Sequence, residues 1–96
     1  MDSDPEWYRM RYHSAMNAKA KLLLAIMTSP KQVRFDDASK VARQLGFMHK
    51  GGAGSHVAFA RAGEPVGLNF QNCGSFIPPY QARQLAAMIE KYGDLE

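Results

Sequence analysis

The sequence is poor in cysteine. Cys73 is the only one in 96 residues, so no disulfide can form within the chain and no cysteine cluster can hold zinc. A reducing, cytoplasmic compartment is the simplest expectation. Long apolar runs are also lacking. Leu22 to Met27 falls far short of the roughly 20 residues needed to cross a bilayer. It lies behind a charged segment and too far along the chain for a signal peptide. Charge of one sign is not in large excess. Twelve Lys and Arg against nine Asp and Glu leave +3 and a pI near 9.2, which suits a nucleic-acid partner without requiring one. Internal repeats and low-complexity tracts are missing too. What is present fits one compact domain. Apolar residues at 46% supply one core, and charged residues at 22% argue against global disorder.

Residues 1–15 differ from the remainder. Met1-Asp2-Ser3-Asp4-Pro5-Glu6 is acidic, and Trp7, Tyr8 and Tyr12 follow among arginines. This segment reads as an N-terminal extension or a misassigned start, with residues 16–96 as the domain. A helix is expected from about Ala15 to Thr28, where Ala, Lys and Leu dominate. Leu22, Leu23, Ile26 and Met27 form its apolar stripe, and Ser29-Pro30 ends it. A second helix is expected over Asp37 to Leu45, with Asp36 as N-cap and Gly46 as stop. Ala38, Val41, Ala42 and Leu45 are its buried stripe. Three short strands follow: Phe47 to His49 or Lys50, His56 to Arg61, and Val66 to Gln71. Gly51-Gly52-Ala53-Gly54 reads as a flexible turn and Ala62-Gly63-Glu64-Pro65 as a hairpin turn. Pro79 opens a last helix. Gln81, Leu85, Met88 or Ile89, and Tyr92 mark its inner face, Ala82 and Ala86 keep that face small, and Gly93 stops it. The methionines, Met48 and Met88 included, are expected to fill core or interface space.

The resulting class is α+β, with element order α-α-β-β-β-α. A three-stranded antiparallel sheet with helices on one face buries these stripes most simply. Side chains alternate across a strand. Val57, Phe59, Val66, Leu68 and Phe70 therefore face the helices. His56, Asn69 and Gln71 face the other way, among Ala and Gly. Such a surface is shallow and accessible, which suits a polymer better than a small molecule in a deep pocket. An imidazole at the head of a strand exchanges protons near neutral pH. It can take the proton of an RNA 2′-hydroxyl and let that oxygen attack the adjacent phosphorus. A polar residue on a solvated sheet face is the plainer alternative for a lone histidine.

Several stretches together resemble the HicA toxins. They are Val33-Arg34-Phe35-Asp36-Asp37, Leu45-Gly46-Phe47, Gly54-Ser55-His56-Val57-Ala58-Phe59, Leu68-Asn69-Phe70-Gln71, and Pro79 to Leu85 continuing through Glu90-Lys91-Tyr92. The resemblance spans roughly residues 18–93. It implies a double-stranded-RNA-binding-like fold and mRNA cleavage that depends on the motif histidine, here His56. It also implies a HicB-type antitoxin that covers this histidine, and a bacterial or archaeal cytoplasm. Two features depart from the family. Many members carry a second histidine directly after the first, where this chain has Val57. The loop before the last helix often bears lysine, whereas Ser75-Phe76-Ile77-Pro78 is uncharged.

The expected site has His56 as catalytic acid/base. Lys50, Gly54, Ser55, Arg61 and Asn69 are its candidate RNA-binding residues. Gly51, Gly52 and Gly54 lack the strand–GxGxxG–helix setting of a nucleotide loop. His13 and His49 are too isolated to suggest a metal site, so neither metal nor cofactor is expected. Two other functions stand beside the mRNA endoribonuclease. One is a non-catalytic RNA-binding domain or degenerate toxin. The other is a protein-interaction module using the sheet face and the Phe76-Ile77 loop.

Overall fold

The computed structural model describes residues 18–93. The expected extension over 1–15 and both ends of the expected domain lie outside the described residues. Helix α1 spans Ala18–Thr28, with Leu23 and Ile26 buried and Leu22 and Met27 packed partly against the core. It stops before Pro30, and a 3-10 turn over Pro30–Gln32 leads onward.

Helix α2 spans Phe35–Gln44, so it starts two residues before the expected Asp37. Asp36 is not its cap. Arg34 holds that position and makes no side-chain capping bond. The Phe35 N–H instead donates to the Ser75 carbonyl at 2.9 Å. A distant loop thus satisfies one of the orphan donors of the first turn. Asp36 and Asp37 sit in that turn, where negative charge suits the helix dipole. At the other end Gly46 takes a φ of +92°. Its N–H donates to Arg43 and the Phe47 N–H to Ala42, at 3.0 and 2.9 Å. This paired closure needs a left-handed residue, which glycine supplies without strain.

Three antiparallel strands follow in the spatial order β1-β2-β3. They are β1 (Met48–Ala53), β2 (His56–Ala60) and β3 (Leu68–Gln71). The first hairpin corrects the expectation. Gly51, Gly52 and Ala53 belong to β1, and only Gly54-Ser55 turn. A bulge at Lys50, between His49 and Gly51, lets pairing continue up to Ala53 opposite His56. Glycines read as a turn because they lack strand propensity; β2 supplies the ladder bonds that hold them extended. Strand β2 ends at Ala60, one residue short of Arg61. Strand β3 begins at Leu68, and Val66 lies outside it, 47% exposed. The Val66 N–H is taken by a Glu64 carboxylate oxygen at 3.0 Å rather than by a strand.

Helix α3 spans Pro79–Tyr92, with proline in its first turn. It buries Gln81, Ala82, Leu85, Met88 and Ile89. Helices α2 and α3 cover one face of the sheet, and α1 packs on both helices. Phe47, Phe59, Phe70, Leu68 and Leu85 are fully enclosed between these layers. Each such side chain contributes about 1.5–3 kcal/mol by leaving water. Met48, by contrast, is 75% exposed and fills no core space.

The β2–β3 connection is built around Glu64. Its side chain is 1% exposed and accepts from Lys91 Nζ at 2.7 Å, from the Tyr92 hydroxyl at 2.6 Å and from the Val66 N–H. These three donors, Lys91 first, push its carboxyl down to about 2. The same contact pushes the Lys91 ammonium up. Beside it, Arg61 Nε donates to the Leu45 carbonyl at 2.9 Å, and its guanidinium stacks 3.8 Å over the Tyr92 ring. The loop and the end of α3 are thereby clasped together.

Candidate active site

The strand register composes the site. Val57 pairs with Phe70 and Phe59 with Leu68, and these four turn toward the helices. His56 pairs with Gln71 and Ala58 with Asn69. His56, Asn69 and Gln71 therefore share the helix-free face, as alternation along the sequence had indicated. His56 is exposed. Its Nδ1 lies 3.4 Å from the Ser55 hydroxyl, at the long limit of a hydrogen bond.

The backbone around His56 is held firmly. Just before it, the Ser55 carbonyl accepts from the Asn72 N–H at 2.8 Å, extending the ladder past His56. On the other side Gly52 lies against it, with a φ of +81°. A Cβ at position 52 would stand 2.3 Å from the His56 carbonyl oxygen. Only glycine lets β1 approach this closely.

The structure gathers most of the candidate RNA-binding residues near this point. Gly54 and Ser55 form the turn directly before His56, and Asn69 is exposed on the same face. Lys50 is exposed at the bulge of the neighbouring strand. Arg61 is not brought to the site. It lies five residues further along the chain, roughly 16 Å at strand rise, and its guanidinium is committed to Leu45 and Tyr92. These two contacts tie the end of β2 to Leu45 and Tyr92.

Other residues at the site were not singled out as functional from the sequence. Gln81 is 5% exposed. Its Oε1 accepts from the Gln71 N–H at 2.8 Å, and its Nε2 donates to the Tyr80 hydroxyl at 3.2 Å. It anchors α3 to the strand residue opposite His56. A polar side chain on an otherwise apolar helix stripe was the available signal. Gly52, His56, Val57, Asn69, Phe70 and Gln81 line a cavity of about 200 Å³. Arg34 and Phe76 are both exposed, with the guanidinium 5.4 Å from the ring centroid.

The full chain carries twelve Lys and Arg against nine Asp and Glu, a net +3. Glu64 is buried against Lys91, and no described strand carries a carboxylate. Among the described residues, no three His, Cys, Asp or Glu side chains converge as a metal site would require. No described helix is long and apolar enough to cross a membrane. No family model, curated protein or solved structure matches the chain.

Proposed function

We propose that the protein is an RNA-cleaving toxin of the HicA type, an endoribonuclease acting on mRNA with His56 as its general acid/base. One observation carries this reading: an exposed imidazole, fixed at the head of β2 and flanked by Asn69 and Gln71, on a sheet face without carboxylates. The run α2-β1-β2-β3-α3, with α1 in front, is in keeping with a double-stranded-RNA-binding-like classification. In the reaction, the imidazole takes the proton of a ribose 2′-hydroxyl. The 2′-oxygen bonds to the adjacent phosphorus, the P–O5′ bond breaks, and the departing 5′-oxygen takes a proton from solvent. General-base assistance of this kind contributes about 10²–10⁴ in rate. Asn69 and Gln71 offer carboxamides that can orient the phosphate or ribose. In this reading a HicB-type antitoxin covers the histidine, and the pair works in a bacterial or archaeal cytoplasm.

The test uses the full chain and its His56→Ala variant with a long single-stranded RNA in EDTA. Cleavage by the parent alone supports the assignment. Because His56 is exposed, the variant should keep its stability within about 0.5 kcal/mol. Two folded proteins that both leave the RNA intact would refute the enzymatic reading and favour a non-catalytic RNA-binding domain.

A further inference from the structure

We propose that Arg34 and Phe76 form a nucleotide subsite within the reach of one RNA strand from His56. A base of single-stranded RNA stacks on the Phe76 ring, and a neighbouring phosphate pairs with the Arg34 guanidinium. This subsite rests on the RNA-cleaving reading and extends it to how the strand is held.

The two side chains come from distant parts of the sequence, and the backbone fixes their meeting. Arg34 and Phe76 face each other in an isolated antiparallel bridge. The Phe35 N–H donates to Ser75, and the Ile77 N–H donates to Val33 at 3.0 Å. Phe76 also exchanges both backbone bonds with Cys73, at 2.7 and 3.2 Å. The turn between them needs positive φ at Gly74 and at Ser75, +61° and +80°. Ser75 is the only described residue other than glycine with positive φ. The product of this tight turn is an aromatic ring left 37% exposed beside a cation, in a protein that encloses its other described phenylalanines wholly or in part.

The same loop is bonded to the histidine turn. The Asn72 N–H donates to the carbonyl of Ser55, the residue before His56. Two cross-strand steps of about 5 Å and two chain steps of about 3.8 Å bound the separation of His56 and Phe76 at roughly 18 Å. That is within about five nucleotides at the 3.4 Å rise of a stacked strand. A planar guanidinium presents a fork of donors that matches phosphate. Every base has a π-face, so a single aromatic platform grips a strand without demanding a sequence. The Arg34 cation beside the ring favours an anionic strand as the occupant, and the net charge of +3 on the full chain does not oppose it.

The subsite is tested by binding of a short fluorescein-labelled single-stranded RNA to the full chain carrying His56→Ala, which removes cleavage from the readout. Phe76→Ala should weaken binding by about 5- to 150-fold, the worth of one base–aromatic stack. Phe76→Trp should bind at least as tightly as its parent. Arg34→Gln should weaken binding and flatten the slope of log K against log salt by about 0.7. Parental affinity and slope in Phe76→Ala and Arg34→Gln would overturn the subsite while leaving the enzyme reading intact. So would an equal loss in Phe76→Trp and Phe76→Ala, because the ring would then matter for packing and not for stacking. Failure of every variant to bind, with no cleavage by the protein bearing His56, would overturn both.

Discussion

Replacing Gly52 with alanine probes how closely β1 holds His56. The new Cβ would lie 2.3 Å from the His56 carbonyl oxygen and 3.1 Å from Val57 Cα, both backbone atoms. Cβ contacts below 3.0 Å essentially do not occur, so the hairpin must open by about 0.7 Å. The φ of +81° adds a penalty of about 1–2 kcal/mol for a residue with a side chain. Overpacking against the facing strand adds about 1–3 kcal/mol. The combined loss is about 2–5 kcal/mol, and 1 kcal/mol shifts the melting midpoint of a domain this size by about 4–8 °C. A drop of at least about 8 °C is expected in a thermal melt followed by circular dichroism. Because the displaced atom belongs to His56, RNA cleavage should fall on the order of tenfold to a hundredfold, in line with a misplacement near 1 Å. Gly51→Ala is the internal control. Its φ is unexceptional and the added methyl group would meet nothing within 4 Å, so it should be neutral or stabilising by up to about 1 kcal/mol. If the two alanine variants melt and cleave alike, the close approach of β1 to His56 is not what holds the site.

Two further perturbations address the clasp at the far end of the sheet. Glu64 has its carboxyl depressed from 4.5 to about 2. Its stabilising contribution is fully present above pH 4.5 and is lost as the pH falls toward 2. Glu64→Gln should lower the melting midpoint at about pH 7 and remove the part of the acid destabilisation that falls between those values; an unchanged pH profile would exclude Glu64 as its source. Arg61→Ala should cost about 2–4 kcal/mol, from one charged hydrogen bond and one aromatic stack. Its RNA affinity, measured below the melting transition, should match that of the parent. A selective loss of affinity in a fully folded Arg61→Ala protein would return Arg61 to the binding surface.

Local pattern along the chain was enough for several features. Pro30, Gly46 and Pro79 bound helices because each restricts or frees the backbone at its own position. Alternation in His-Val-Ala-Phe-Ala and Leu-Asn-Phe-Gln separates core from open face, since the period of a strand is set by its own geometry. That is why His56 and Asn69 fall on one surface from the sequence alone. Features that need a partner from elsewhere were hidden. The glycines of β1 read as a turn until β2 supplied their hydrogen bonds. Asp36 looked like a cap, but Ser75, some forty residues away, takes the first N–H of α2. Arg61 resembled a phosphate ligand until Leu45 and Tyr92 claimed it, and Glu64 resembled a turn residue until Lys91 and Tyr92 enclosed it. Arg34 and Phe76 likewise meet only across the fold. Sequence specifies what each backbone segment prefers; long-range contacts decide which polar groups remain available to a substrate, because every buried donor or acceptor must first be satisfied within the protein.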